Sequence, residues 1–213
     1  MNAAQLMDEQ YRYQRYVYDW SRKYYLLGRD SLLKEIKMGF NDNLLEIGCG
    51  TARNLRKLAY YYPNNQFYGV DASALMLESA RKQLAGSLYE SQIHLQQGLA
   101  EQLSLNHAPN AQGFDHVLLS YVLSMLPQAE QTLQHIIGLV KPGGYLHIVD
   151  FADQADLPNW FQGLLKQWLT WFNVHPQLSV MQPLEQSALQ QTGVLQKRYI
   201  AGRYAVLIHY QKL

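Results

Sequence analysis

Cysteine is almost missing from this chain, with one residue, Cys49. No intramolecular disulfide can form, which fits a reducing compartment. Charge is also scarce: 16% of residues are charged and the net charge is +1. The scarcity argues against a long disordered region. The missing basic excess argues against a nucleic-acid partner. No apolar run approaches the roughly 18 residues that a membrane span needs. The start, Met1 to Gln10, is polar and has no signal-peptide core. A cytoplasmic protein is expected, with peripheral contact at the inner face of a membrane left open. The seven histidines are scattered without ligand spacing, so no metal site is expected.

What is present is apolar material, 48% of the residues, arranged in alternating segments. Asn43 to Ile47 reads as a strand ending in Gly48-Cys49-Gly50, and Ala52 to Tyr62 as a helix stopped by Pro63. Strands at Gln66–Val70, Ile93–Gln97, Phe114–Ser120 and Tyr145–Phe151 follow, with helices at Ala74–Ala85 and Gln128–Val140. This order predicts a parallel sheet with helices on both faces. Leu195–Ile200 and Tyr204–Tyr210 are separated only by Ala201-Gly202-Arg203. A parallel crossover needs a dozen or more residues, so this pair reads as an antiparallel hairpin. Residues 1–40 look helical, with breaks at Gly28 and Gly39. The expected organisation is an N-terminal helical cap over 1–40 and an α/β domain over 41–213.

The sharpest motif is Leu44-Leu45-Glu46-Ile47-Gly48-Cys49-Gly50-Thr51-Ala52. Glycines let a backbone approach a ligand closely, and the following helix start offers N–H groups. A dinucleotide fingerprint needs a third glycine where this chain has Arg53, so a pyrophosphate has no room. Asp71, 21 residues beyond Gly50, ends the second strand. Its two oxygens suit a ribose diol. Cys49 reads as a small packing residue in a tight turn rather than a nucleophile.

Taken in order, these pieces resemble the class I S-adenosylmethionine (SAM)-dependent methyltransferases. Glu46 to Thr51 is similar to their first motif and Tyr68 to Ser73 to their second. Gly98-Leu99-Ala100-Glu101 is similar to their adenine-contacting motif. Phe114-Asp115 to Ser120-Tyr121 and Leu139 to Gly144 are similar to their fourth motif and the approach to strand five. The resemblance implies SAM as cofactor. It also implies a Rossmann-like, mostly parallel seven-stranded sheet with the antiparallel hairpin at its C-terminal edge. Glu46 belongs to the implied cofactor set. Gly48 and Gly50 would meet the methionine portion, and Asp71 would hold the ribose. Ala72 or Met76 would flank the adenine, Leu99 and Ala100 would offer backbone groups to its edge, and Ser120 and Tyr121 would lie below the sulfonium. Ala52 stands where the motif usually continues with glycine.

The acceptor is read from elsewhere. Ser120-Tyr121-Val122-Leu123 lacks the Asn/Asp-Pro-Pro-aromatic pattern of enzymes that methylate nucleobase amines. Positions 11–25 hold seven aromatic residues. On a helix, Tyr13, Tyr16, Trp20 and Tyr24 share one face and Tyr11, Tyr18 and Tyr25 another. Such rings suit cation–π contact with a cationic group, and Tyr16 and Tyr25 are the substrate-binding candidates.

This segment resembles the betaine-lipid N-methyltransferases, as do Val149-Asp150-Phe151 and Leu157-Pro158 through His175-Pro176. Those enzymes trimethylate diacylglycerylhomoserine with three SAM molecules. The resemblance implies an amino-lipid substrate and a membrane-surface encounter. Candidate proton acceptors are Tyr121, His147, Asp150 or water. The homoserine carboxylate needs a cation, with Arg29 favoured over Arg22 and Arg203. Trp160, Trp168 and Trp171 read either as an interfacial helix or as a packed or dimeric face, so a homo-oligomer stays open. The alternatives are a SAM enzyme for another small acceptor such as a quinone precursor, a nicotinamide oxidoreductase, and a SAM-binding module without turnover.

Overall fold

The computed structural model describes residues 26–109, 112–126, 128–158, 160, 162–165, 167 and 178–213. Most of the expected 1–40 cap, including Tyr16 and Tyr25, lies outside these residues. So do Phe161, Lys166, Trp168 and Trp171.

The described elements are α1 (Arg29–Glu35), β1 (Asn43–Ile47), α2 (Arg53–Tyr61), β2 (Gln66–Asp71), α3 (Ala74–Leu84), β3 (Ile93–Gln97), β4 (Phe114–Ser120), α4 (Ala129–Leu139), β5 (Val140–Phe151), α5 (Gln182–Leu189), β6 (Gly193–Ile200) and β7 (Ala205–Lys212). Seven strands form one sheet in the order β3-β2-β1-β4-β5-β7-β6. Strands β1 to β5 pair in parallel, while β7 runs antiparallel to both β5 and β6. The expected hairpin is present, but its second strand is threaded inside its first. That places β6 at the edge.

Every residue of β1 and β4 is buried, as a central parallel strand covered on both faces requires. On one face Leu32, Leu33 and Ile36 pack with Leu55 and Leu58 of α2 and Leu77 and Ala80 of α3. On the other, Leu133, Ile136 and Leu139 of α4 and Leu184 of α5 pack on Val117, Leu119 and Ile148. Ser73 caps α3 by accepting from the Met76 N–H at 3.3 Å.

Several boundaries differ from the sequence reading, and one helix was not read. β5 begins at Val140 because Val140 already pairs with Phe114, before the register shifts between Phe114 and His116. β7 runs on to Lys212. Helix α5 went unread because Leu184 is its one buried residue, which leaves no apolar stripe to see. Among the described residues, no helix is long and apolar enough to cross a membrane.

Candidate cofactor site

The strand order reverses between β1 and β4, and in such sheets the crevice at the carboxyl ends of the strands takes the ligand. A cleft of about 220 Å³ opens there. Glu46 and Ser120 reach it from the ends of β1 and β4, and Gly48, Cys49 and Thr51 from the turn. Arg53, Asn54 and Arg56 of α2, with Arg29 and Gln83, complete the lining.

The turn is held by its own chemistry. Gly48 has φ 70°, and a Cβ there would lie 2.4 Å from Val122 Cγ2. Only glycine meets both conditions. Asp71 is buried and ties the turn to β2. The Gly50 N–H donates to its Oδ2 at 2.7 Å, and the Ser73 N–H donates to its Oδ1 at 2.9 Å. Asn54 Nδ2 donates to Glu46 Oε1 at 2.6 Å, orienting that carboxylate in the cleft wall. Asn54 Oδ1, Arg56 Nε and Ser120 Oγ are buried with no hydrogen-bond partner. Buried polar atoms are normally satisfied, so three orphans on one cleft mark a place for a polar ligand. A ligand with amine, carboxylate and hydroxyl groups, as SAM has, matches this set of donors and acceptors.

Of the residues singled out in the sequence, Glu46, Gly48, Ser120 and Arg29 line the cleft. Gly50 and Asp71 form the turn beside it. Met76 and Ala100 are buried near the ends of β2 and β3, with Ala72 and Leu99 half-buried beside them. Burial pushes the Cys49 thiol well up, so it stays a thiol, in line with a packing role.

The proton-acceptor candidates Tyr121, His147 and Asp150 are not among the residues that line this cleft. Tyr121 is buried, and its hydroxyl donates to the Leu27 carbonyl at 2.5 Å. Burial, then the charges of Tyr204 and Asp150, push its phenol up, so it does not serve as a base. Its φ of 59° is costly for a tyrosine, roughly 1–2 kcal/mol. Asp150 caps the turn at Leu123–Met125, accepting from the Ser124 N–H at 3.2 Å and from its own neighbour Phe151 at 2.7 Å. Burial pushes its carboxyl up to about 6. His147 lies mid-strand, opposite Leu118 and His209, and its ring nitrogens meet those of His116 and His209. Arg203 is also elsewhere. It grips Asp153 through Nε at 2.6 Å and through Nη2, and it stacks 4.2 Å from the Tyr199 ring centroid.

Thr51, Asn54, Arg56 and Gln83 were missed. Asn54 had a signal, because it interrupts the buried face of α2 formed with Leu55, Leu58 and Ala59.

Residues 45–146 match the family model described as "Methyltransferase domain". A demethylmenaquinone methyltransferase of Desulfitobacterium hafniense is 38% identical over 131 residues, 61% of this chain and 48% of that protein. A trans-aconitate 2-methyltransferase of Rhodopseudomonas palustris is 28% identical over 66% of this chain and 53% of its own length. The chain thus spans about half the length of the curated relatives it matches. Among solved structures, a SAM-dependent methyltransferase of Aquifex aeolicus superposes with TM-score 0.65 at 16% identity, over 90% of this chain and 93% of that one. The sheet therefore has the fold of SAM-dependent methyltransferases, and residues 45–146 are similar to a methyltransferase domain.

Proposed function

We propose that the protein transfers methyl groups from SAM to the amine of a diacylglycerylhomoserine lipid, giving the trimethylated betaine. The observation that carries the methyl-transfer reading is the set of buried, unpartnered polar atoms on the glycine-turn cleft. In this reading Glu46 and Asn54 hold the methionine amine, and Asp71 holds the ribose. Ala72, Met76, Leu99 and Ala100 surround the adenine. When bound, SAM supplies an electrophilic methyl group on its sulfonium.

The acceptor is supported by chemistry at the cleft mouth. Arg29 lines the cleft, and a guanidinium there pairs with the homoserine carboxylate in bidentate fashion. The Tyr121–Leu27 bond and the Asp30 pairs with Arg53 and Lys57 fix the chain on both sides of Arg29. That positioning is the main requirement for an in-line displacement. An α-amino group titrates near about 8, so a usable neutral fraction exists without a strong base. With Tyr121, His147 and Asp150 outside the cleft lining, water takes the proton released in each round. The N-terminal tyrosines, outside the described residues, are the proposed cage for the quaternary product. Trp160 and Leu164, one helical turn apart in sequence, are 70% and 59% exposed and suit contact with a lipid surface.

A quinone precursor is the second reading, favoured by the 38% identity to a demethylmenaquinone methyltransferase. Incubation with SAM and either diacylglycerylhomoserine or a demethylated quinone, followed by mass spectrometry, separates them. A lipid heavier by three CH2 units, with three S-adenosylhomocysteine released per lipid, is the expected result. Methylation of the quinone alone overturns the lipid reading. In the same assay Arg29→Ala should raise KM for the lipid about tenfold or more, with a smaller effect on kcat.

A further inference from the structure

Away from the cleft, three imidazoles are joined nitrogen to nitrogen across β4, β5 and β7. His116 Nδ1 lies 3.0 Å from His147 Nε2. His147 Nδ1 lies 2.8 Å from His209 Nδ1. Each end of the row meets a carboxylate. His116 Nε2 is 3.2 Å from Asp42 Oδ2, and His209 Nε2 is 3.0 Å from Glu35 Oε2. All six ring nitrogens belong to one chain. The sheet register builds it: His147 sits directly opposite His209, and His116 pairs with Tyr145, two residues before His147. His116 and His147 are buried, whereas Glu35 and Asp42 reach solvent.

The hydrogens of this chain can be counted. Four contacts need four hydrogens. A neutral imidazole carries one N–H and one acceptor nitrogen, and an ionised carboxylate carries no hydrogen. Three neutral imidazoles supply three hydrogens, one too few. If the N–H groups are assigned from Asp42 onward, His209 Nε2 and Glu35 Oε2 face each other as two acceptors. One added proton completes every contact and leaves one imidazolium between two carboxylates. Shifting the hydrogens within the two nitrogen–nitrogen contacts moves that charge between His116 and His209 without turning a ring.

We infer that Asp42, His116, His147, His209 and Glu35 form a binding site for one shared proton, which fastens α1 and the loop before β1 to the sheet. The surroundings agree. Burial, together with the neighbouring imidazoles, holds His147 well below the usual histidine range. The charge therefore rests at the ends, beside the carboxylates. Burial also lowers His116, and Asp42 partly restores it, so a second proton is kept off. Tyr145 of β5 stacks on His116 and His147. Arg198 of β6 pairs with Glu35, and the Gly39 N–H donates to Asp42 Oδ2. A metal is not the better occupant. His147 presents opposite ring nitrogens to its two neighbours, so the three rings do not converge on one point. Among the described residues no group of three ligands is placed to hold an ion. Loss of the proton sets two acceptors face to face at one end and loosens α1, whose first residue is Arg29.

The test is an imidazole nitrogen NMR titration of the full chain from about pH 9 to about pH 5. One midpoint common to the three histidines, with a single proton taken up among them, is expected. Glu35→Gln changes an exposed residue and adds an amide donor for His209 Nε2, supplying the fourth hydrogen. The chain should then stay neutral, with its midpoint lowered by at least about one pH unit. Protection of the Leu32 and Leu33 amides, normalised to β1 amides, should fall with rising pH in the original chain and not in Glu35→Gln. Three independent midpoints, or a Glu35→Gln titration that matches the original, would overturn the inference.

Discussion

The cleft and the histidine chain are both polar clusters set into the same sheet, and they differ in how their polar atoms are satisfied. Around the glycine-turn cleft, Asn54 Oδ1, Arg56 Nε and Ser120 Oγ are buried without partners. Across β4, β5 and β7, every ring nitrogen of His116, His147 and His209 has one. A buried polar atom without a partner costs about 1–3 kcal/mol. The cleft atoms are left open to a ligand, whereas the histidine chain makes its contacts within the protein. The same contrast explains why His147, with its titratable side chain inside an α/β domain, is not part of the cleft.

The comparison breaks most sharply at Asp71. Asp71→Ala removes the acceptor for the Gly50 and Ser73 N–H groups as well as the proposed ribose partner. Affinity for S-adenosylhomocysteine, measured calorimetrically, should fall about 100-fold or more, since charge-assisted bonds are worth about 1.5–3 kcal/mol each. Retained affinity would mean that the cleft does not bind this nucleoside.

Asp150 gives a smaller effect, readable in stability. Its carboxyl is pushed up to about 6 by burial, above its unfolded value. Its stabilising contribution is therefore complete below about pH 4 and is lost as pH rises through about 6. The loss reaches up to about 3 kcal/mol. Thermal midpoints recorded against pH should show this decline, and Asp150→Asn should flatten it. An unchanged slope in the variant would place the decline elsewhere.

The smallest effect is expected at Arg203, whose partner Asp153 is exposed. Exposed ion pairs contribute little. Arg203→Ala should leave both KM for the acceptor and the thermal midpoint unchanged within error, in contrast to Arg29→Ala.

Much of the fold was legible because its signals are local. β1, β3 and β4 fall on the residues expected, and in the buried β1 and β4 apolar runs bounded by turn residues encode the strands. Gly48, Gly50 and Asp71 were legible because a strand–glycine–helix turn with an acid after the second strand is a spacing rule. The Arg203–Asp153 pair was not legible, because sequence does not show which carboxylate an arginine meets. The contacts of Tyr121 and Asp150 were hidden for a related reason. Their nearness in sequence to Ser120 and the end of β5 did not show that one would reach Leu27 and the other would cap a turn.

The sequence alone determined the alternation of strands and helices, the glycine turn and the acid beside it, because each depends on residues close together in the chain. Tertiary structure alone decided which polar groups meet: Asn54 with Glu46, Arg29 with the cleft, and three distant histidines with one another. Those meetings depend on strand order and register, which set side chains from residues 35, 42, 116, 147 and 209 within hydrogen-bonding reach. No spacing rule along the chain records that.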